Sequence, residues 1–301
     1  MLQQRGSTMR VFKPLPHVLA FYDGRIEGVR AWSEKPNWLD DGAFSLGACS
    51  YAIVDGTDAL VYDTHISVEH AAIIRRTLDD SGVRSIRVVL SHWHADHVAG
   101  NEAFQDCKII ANSLTAKILA ERRAELEGGN PPIRPLVPPT TTFDWTLRLQ
   151  VGRVPVELRQ VDVHSRDGTV LVVPEAKLLL AGDALEDPIT FVAEPEGLER
   201  HLLDLGRMRA WNIDRILPNH GSAATIEAGG YDRTLIDATR RYVEKLLRAS
   251  DEPALAEQNL TTFVAEDLRA GTIRYFAAYD AVHRRNVERV RNRAPQNDAA
   301  N

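Results

Sequence analysis

Four residues that can bind a metal ion fall within six positions of the chain, at His92, His94, Asp96 and His97. They follow the apolar run 86–90, which predicts a buried strand, and a strand end is a rigid mount for metal ligands. His92 and His94 are two residues apart, so an extended backbone turns both imidazoles towards one ion. Asp96 and His97 lie where the chain turns into a helix and face a second ion. The alternative is a solvated polar loop, although ten histidines in 301 residues rarely place three so close together.

The run His92-Trp93-His94-Ala95-Asp96-His97 resembles the His-x-His-x-Asp-His signature of the metallo-β-lactamase-fold hydrolases. That family has three further ligands: a His after a strand, an Asp in a Gly-Asp pair at the end of an apolar strand, and a His in a late Pro-x-His-Gly-like turn. This chain has His164 after the apolar residues 161–163, Asp183 directly after Gly182, and His220 in the turn 218–221. Every expected ligand type is therefore present in the family's order.

The resemblance implies a binuclear site with two zinc ions per chain. His92, His94 and His164 would hold one ion, Asp96, His97 and His220 would hold the other, and Asp183 would bridge them. Nitrogen-rich coordination completed by carboxylate oxygen suits zinc best, with iron or manganese as alternatives. Two such ions share a hydroxide that acts as the nucleophile. Asp96 is the predicted catalytic residue, which orients the hydroxide and passes its proton to the leaving group.

Two residues upstream of this motif, Asp63 and His65, are further candidate site residues. Asp63 is expected to orient a ligating histidine from behind. His65 stands where many relatives have Gly after an Asp-Thr pair, in a loop that usually lies near the metals, so we expect it to contact substrate.

The periodicity of the chain predicts two halves in which strands are followed by helices. The predicted strands are residues 18–22, 26–31, 43–46, 51–54, 59–62, 86–90, 108–111, 141–149, 154–161, 169–173, 178–180 and 213–217, and the predicted helices are 67–81, 98–104, 113–126 and 197–210. Ser67 is a plausible N-cap, and Gly82 ends the helix that follows it. In the family resembled, two such halves form an α/β (α+β) fold, a four-layer αββα sandwich whose ligand loops gather along one edge.

The expected organisation is an extended or disordered segment 1–16, the metallo-β-lactamase-like domain 17–228, a helical cap 229–294 and a disordered tail 295–301. Apolar stripes predict that the cap packs on the sandwich, where it supplies either a pocket wall or a homodimer surface. The Gly- and Pro-rich residues 128–139 are either a plain linker or a loop that borders the pocket.

The composition of the chain limits which binding partners and which cellular location we expect. A net charge of −6 argues against a nucleic-acid partner, because binding phosphates requires a basic face. Cys49 and Cys107 have no metal-binding or redox spacing, which fits a reducing cytoplasm. The first twenty residues contain no apolar signal region and no run reaches eighteen apolar residues, so we expect neither secretion nor a membrane span.

These features predict a hydrolase that cleaves a small ester, thioester, lactone or amide. Differences from particular subgroups narrow the substrate only in part: His94 replaces the Glu of flavo-diiron proteins, Asp183 stands where true β-lactamases usually have Cys or Ser, and no Tyr follows Asp183 as it does in acyl-homoserine lactonases. The full ligand set resembles that of glyoxalase II-like thioesterases, but their basic glutathione-binding cluster is not evident.

Three alternatives stay open. The first is a persulfide dioxygenase, which would hold a single iron with His92, His164 and Asp183. The second is a promiscuous β-lactamase or lactonase of the same fold. The third is a non-catalytic binding module, although a degenerate copy usually loses a ligand.

Overall fold

The computed structural model describes residues 3–293 of the chain. The predicted disordered tail 295–301 lies outside the described residues. Two β-sheets pack face to face with helices on their outer sides, and further helices follow at the C-terminal end. This arrangement confirms the predicted αββα sandwich with its helical extension.

The first sheet has the order β1-β2-β3-β4-β5-β6-β7, antiparallel from β1 to β4 and parallel from β4 to β7. Its strands are β1 Arg10–Leu15, β2 Val18–Asp23, β3 Ala48–Asp55, β4 Asp58–Tyr62, β5 Ser85–Val89, β6 Lys108–Asn112 and β7 Thr141–Phe143. Strand β1 lies at the edge, where Pro14 is tolerated because an edge strand need not donate every N–H.

The second sheet has the order β12-β11-β10-β9-β8, in which only β11 and β12 are parallel. Its strands are β8 Thr146–Val151, β9 Val154–Gln160, β10 Thr169–Val173, β11 Leu178–Gly182 and β12 Arg215–Pro218. The single strand predicted over 141–149 is therefore two strands, and the chain passes from the first sheet to the second between them.

The helices are α1 Val68–Asp80, α2 Ala95–Val98, α3 Ser113–Glu121, α4 Arg123–Glu127, α5 Leu198–Arg209, α6 Ala223–Glu227, α7 Thr234–Ala249, α8 Pro253–Ala256, α9 Leu260–Phe263, α10 Ala265–Ala270 and α11 Tyr279–Arg291. Short 3₁₀ turns cover Asn101–Phe104 and Pro195–Gly197. The Ser67 hydroxyl accepts a hydrogen bond from the His70 N–H, which confirms the predicted N-cap of α1. No helix in the part of the chain that the structure describes is long and apolar enough to span a membrane.

Alternate residues of the central strands point into different layers of the core. In β3, Tyr51 and Ile53 belong to the apolar cluster shared with the second sheet, whereas Ala52 packs with Ile74 and Leu78 of α1. This alternation follows from the two-residue period of a strand. Two buried hydroxyls also join the sheets close to the strand ends: Tyr51 donates to Pro218 O and Tyr62 to Thr169 O, each at 2.5 Å.

Two strand predictions were wrong, because residues 26–31 and 43–46 do not join a sheet. Residues Leu39–Phe44 form a π-helical segment, and the loop before it is organised by the buried carboxylate of Asp40. That carboxylate accepts hydrogen bonds from the backbone N–H groups of Ala31, Trp32 and Ser33. It therefore satisfies donors that a strand would have paired with a neighbour.

The C-terminal cap packs on the second half of the sandwich. Helix α7 contacts α5, and α11 contacts α7. Within α11, Asn286 is fully buried and accepts from Val192 N–H while its amide donates to Thr190 O. The cap thus fixes the segment around Phe191, which borders the site described below.

Candidate metal centre

Parallel strand pairing brings the ligand-bearing loops to one edge of the sandwich. In the first sheet, β4 ends beside β5, and Ser91 N–H after β5 donates to Asp63 Oδ1 after β4 at 2.6 Å. In the second sheet, Gly182 pairs with Pro218, so the residues after them, Asp183 and Asn219, are neighbours. The carboxyl ends of parallel strands in both sheets therefore present their side chains to one place.

Three imidazoles form the first cluster. His92 Nε2 lies 2.9 Å from His94 Nδ1, and His164 Nε2 lies 3.2 Å from His92 Nε2 and 3.0 Å from His94 Nδ1. Tetrahedral zinc with Zn–N bonds of about 2.0–2.1 Å places its nitrogens about 3.3 Å apart, so the three atoms suit one such ion. The His164 ring is oriented by its Nδ1–H, which donates to Phe191 O at 2.9 Å.

Burial keeps the first cluster neutral. Desolvation, reinforced by the neighbouring imidazoles, lowers the pKa of His94 to about 3 and that of His164 to about 4, and it lowers the pKa of His92 well below its usual value. A neutral ring offers a nitrogen lone pair, which is the form that ligates a metal.

Two histidines and two carboxylates form the second cluster. His220 Nε2 lies 3.2 Å from Asp96 Oδ2 and 3.4 Å from Asp183 Oδ2. His97 Nε2 lies 3.1 Å from Asp183 Oδ2 and 3.6 Å from Asp96 Oδ2. In each cluster, one ligand atom from every member lies within 4.8 Å of all the others.

Asp183 belongs to both clusters. Its Oδ2 also lies 3.7 Å from His92 Nε2 and from His164 Nε2, and its buried Oδ1 has no hydrogen-bond partner in residues 3–293. An unsatisfied buried carboxylate oxygen is costly, and a cation would satisfy it. The residue before Asp183 is Gly182, which has a φ of +55°. A Cβ at Gly182 would lie 3.0 Å from the Tyr62 hydroxyl. The donor set therefore fits divalent metal binding.

The charges of the second cluster are strongly coupled. Burial disfavours ionised His97 and His220, but the surrounding carboxylates, Asp183 first, hold the pKa of both rings well above the usual value. Burial likewise raises the pKa of Asp96 and Asp183, yet the two histidines outweigh it and hold both pKa values well below the usual range. The ionised carboxylates suit a cation, and the two rings would lose their extra proton on binding one.

Asp63 supports the second cluster from behind, at the position predicted for it. His97 Nδ1–H donates to Asp63 Oδ2 at 2.9 Å, and the Asn219 amide donates to the same oxygen at 2.6 Å. His220 is fixed in the same way, because its Nδ1–H donates to Gly47 O at 2.7 Å. These contacts leave each Nε2 free to face the centre. Sequence reasoning found Asp63 but missed Asn219, although it stands next to His220 in the turn.

His65 does not reach the site, so the structure does not support the predicted substrate contact. Its side chain is 1% exposed, its Nε2 lies 3.2 Å from Phe21 O, and its Nδ1 accepts from Ile66 N–H at 3.0 Å. The ring stacks on His70 with 4.7 Å between centroids. A left-handed backbone at His65, φ +69°, turns the side chain towards β2 rather than towards the cavity.

Glu186 is a site residue that sequence reasoning missed. It is buried in the cavity wall, where burial and the nearby Asp183 raise its pKa to about 8. Tyr279 of the cap donates to its Oε2 and Phe191 N–H to its Oε1, both at 2.8 Å. The only sequence signal is its place three residues after Asp183, and no motif distinguishes it from a surface carboxylate.

A cavity of about 390 Å³ opens over the metal centre. Its metal-site lining comprises His94, Asp96, His164, Asp183 and His220, and the rest of its wall comprises Trp38, Gly42, Ala43, Leu46, Trp93, Ala95, Glu125, Leu126, Gly129, Ile133, Glu186, Phe191, Val282 and Arg285. Gly129 and Ile133 come from the Gly- and Pro-rich loop, so that loop borders the cavity. Val282 and Arg285 come from α11, so the cap supplies part of the wall.

Comparisons with known proteins agree with this geometry. The family model described as the metallo-beta-lactamase superfamily matches residues 46–236, which is more than half of the chain. A metallo-beta-lactamase from Pontibacter korlensis superposes with a TM-score of 0.60 at 18% identity, covering 78% of this chain and 99% of that one. At this identity, the superposition shows the fold alone.

Two relatives share more of the sequence. The beta-lactamase-like protein 2 homolog of Caenorhabditis elegans is 25% identical over 229 residues, covering 75% of this chain and 74% of that protein. The atrochrysone carboxyl ACP thioesterase nsrC of Aspergillus novofumigatus is 28% identical over 186 residues, covering 61% of this chain but only 52% of its own length. On the extent of the family match, this chain belongs to the metallo-beta-lactamase superfamily.

Proposed function

We propose that this protein is a binuclear metal-dependent hydrolase that cleaves a small ester, thioester, lactone or amide. The observation that carries the proposal is the position of Asp183, whose Oδ2 lies within 3.7 Å of one ring nitrogen each of His92, His97, His164 and His220. A carboxylate at the junction of two ligand clusters suits a pair of divalent ions.

Two bound divalent ions, zinc by the donor set, would lower the pKa of a water between them and polarise the scissile carbonyl. The protein's own side chains would hold the ions and orient the attacking water. Asp96 is the more exposed of the two carboxylates, at 18% against 4% for Asp183, and it lines the cavity. This exposure supports a role for Asp96 in orienting the attacking water and carrying its proton to the leaving group.

The substrate is expected to be a small molecule. The cavity volume of about 390 Å³ lies in the range of small-molecule sites, about 300–1,000 Å³, and its wall is mainly apolar. The thioesterase name of the Aspergillus relative favours an acyl thioester among the candidates, although the two chains align over only 52% of that protein. Ester and thioester hydrolysis require the same attack on an acyl carbon.

One feature weighs against the alternative of a single iron. A mononuclear centre of His92, His164 and Asp183 needs no second set of ligands, yet Asp96, His97 and His220 are also gathered here, with His97 oriented by Asp63 and His220 by Gly47. A second complete set with its own supporting hydrogen bonds supports the binuclear hydrolase.

Turnover by zinc-loaded protein tests the proposal. The substrates are a p-nitrophenyl ester, an acyl thioester, a lactone and a chromogenic β-lactam, each assayed before and after treatment with a chelator. We expect chelator-sensitive hydrolysis of at least one substrate, lost in His94→Ala and retained in His17→Ala, since exposed His17 lies outside the centre. Equal background rates for loaded and chelated protein on all four would contradict the proposal.

A further inference from the structure

The cavity over the metal centre has an aromatic wall whose rings are held in place. Trp38 Nε1–H donates to Pro131 O at 2.8 Å. The guanidinium of Arg122 lies 4.4 Å from the centroid of the Trp93 ring, and that of Arg289 lies 4.9 Å from the Phe191 ring. Because these contacts fix the rings before any ligand binds, the wall is preorganised for an aromatic or aliphatic group.

Outside the metal centre and buried Glu186, the cavity wall includes two charged side chains, and only one of them is compensated. Glu125 accepts a hydrogen bond from Arg122 at 2.8 Å. The side chain of Arg285, exposed on α11, makes no hydrogen bond, ion pair or ring contact with any residue between 3 and 293. The wall therefore carries one guanidinium without a counter-charge beside apolar rings.

We propose that Arg285 is a specificity-determining residue that binds an anionic group on the substrate, so that the preferred substrate is an acyl ester or thioester bearing a carboxylate or another oxyanion on an apolar skeleton. This inference rests on the proposed hydrolase function of the same cavity. A guanidinium presents parallel N–H donors that match a carboxylate or sulfonate. The apolar rings lower the local dielectric and strengthen that pair relative to one in bulk water.

The neighbouring residue supplies a matched control. Arg284 is also exposed and also lacks a described ion-pair partner, but it lines a separate groove with His283 and Arg291 and does not line the cavity over the metal centre. Arg284→Ala and Arg285→Ala therefore remove the same charge from the same helix, and only Arg285→Ala removes it from the cavity.

A binding experiment tests the inference without turnover. The probes are 8-anilino-1-naphthalenesulfonate and the neutral N-phenyl-1-naphthylamine, which share a ring system and differ by the sulfonate. We expect Arg285→Ala to weaken binding of the sulfonate about fivefold or more, with little effect on the neutral probe and little effect of Arg284→Ala on either. Equal affinity of Arg284→Ala and Arg285→Ala for the sulfonate probe would overturn the assignment of Arg285. Arg285→Lys should have a higher affinity for this probe than Arg285→Ala, because it keeps a positive charge.

Kinetics with two matched esters then separate this inference from the proposed function. The p-nitrophenyl ester of hexanoate and the mono-p-nitrophenyl ester of adipate have the same chain length and differ in a terminal carboxylate. We expect Arg285→Ala to raise KM for the adipate ester about fivefold and to leave the hexanoate ester unchanged. If zinc-loaded protein hydrolyses both esters and the two arginine variants behave alike, the role of Arg285 is wrong and the hydrolase stands. If neither ester nor any other substrate turns over while the sulfonate difference persists, the hydrolase is wrong and the anion site stands.

Discussion

The carboxylate of Asp63 lies against the ring of His97, with 2.9 Å between Oδ2 and Nδ1. Since the carboxylate accepts the Nδ1 proton, the ring is held as the tautomer whose Nε2 faces Asp183 and Asp96. Asp63 thereby links the end of β4 to the ligand set without entering the cavity.

Asp63→Asn should weaken metal binding about 10–100-fold, because a neutral amide orients and polarises His97 less well. The measurement is competition between the protein and a chromophoric chelator for zinc. Asp58→Asn is the matched control, since Asp58 begins the same strand at its other end and its side chain makes no hydrogen bond with any residue that the structure describes. If both variants bound zinc with the same affinity, Asp63 would have no positioning role.

Asp183→Ala should lose metal content and turnover together, because its Oδ2 faces histidines of both clusters.

Asp96→Asn should instead lower kcat more than it lowers metal content or folding stability. The amide keeps the shape of the side chain but cannot accept a proton and pass it on. Metal content by mass spectrometry and steady-state kinetics on the same preparations check both. Full metal and full turnover in Asp183→Ala would show that the bridging assignment is wrong.

Asp23→Asn should destabilise the fold by about 2 kcal/mol at neutral pH, because a buried carboxylate loses charge-assisted hydrogen bonds. Burial by itself raises the pKa of Asp23, but hydrogen bonds from His70, at 3.0 Å, and Thr8, at 2.7 Å, outweigh it and hold the pKa below 3.8. A depressed folded pKa contributes stability above the unfolded value and loses it as the pH falls below 3.8.

The difference in unfolding free energy between wild type and Asp23→Asn should therefore shrink in acid, below about pH 4. Urea denaturation at a series of pH values measures it. Asp144→Asn is the control, because Asp144 is exposed and its side chain makes no hydrogen bond within residues 3–293. A difference that stayed constant from neutral pH into acid would mean that the Asp23 charge contributes nothing.

Asn286→Ala should destabilise the fold by about 3 kcal/mol, because it leaves the Val192 N–H and the Thr190 carbonyl without partners in a buried place. Asn292→Ala, in the exposed last residues of the cap, should change the free energy of unfolding by less than about 0.5 kcal/mol. Chemical denaturation measures the free energy of unfolding of both variants. Equal values for the two variants would mean that the cap does not contribute to the stability of the domain through Asn286.

The first metal-binding motif was predictable from the sequence because its residues, His92, His94, Asp96 and His97, sit close together after one strand. The downstream residues were assigned through the family resemblance: Asp183 and His220 follow the parallel strands β11 and β12, whereas His164 follows the antiparallel strand β9. Alternating apolar residues likewise predicted most of the strands. These patterns depend on residues close together in the chain.

The features that the sequence did not indicate depend on contacts between residues far apart in the chain and on backbone dihedral angles. The interpretation of His65 was wrong because a left-handed φ of +69° points the ring into the core, and a single sequence does not reveal that angle. Glu186 was missed because its raised pKa arises from burial and from Asp183 in the folded chain, and its partner Tyr279 lies far along the sequence. The strand predicted at 26–31 was wrong because a single buried carboxylate, Asp40, accepts the backbone N–H groups of Ala31 and Ser33 at and just after its end.

The most direct test of the binuclear centre is the metal content of the protein purified without added metal, measured by inductively coupled plasma mass spectrometry. The account predicts two zinc ions per chain, falling together in Asp183→Ala, with hydrolysis that returns when zinc is restored. One iron per chain, with oxygen consumption on a persulfide substrate and no second ion on titration, would contradict it.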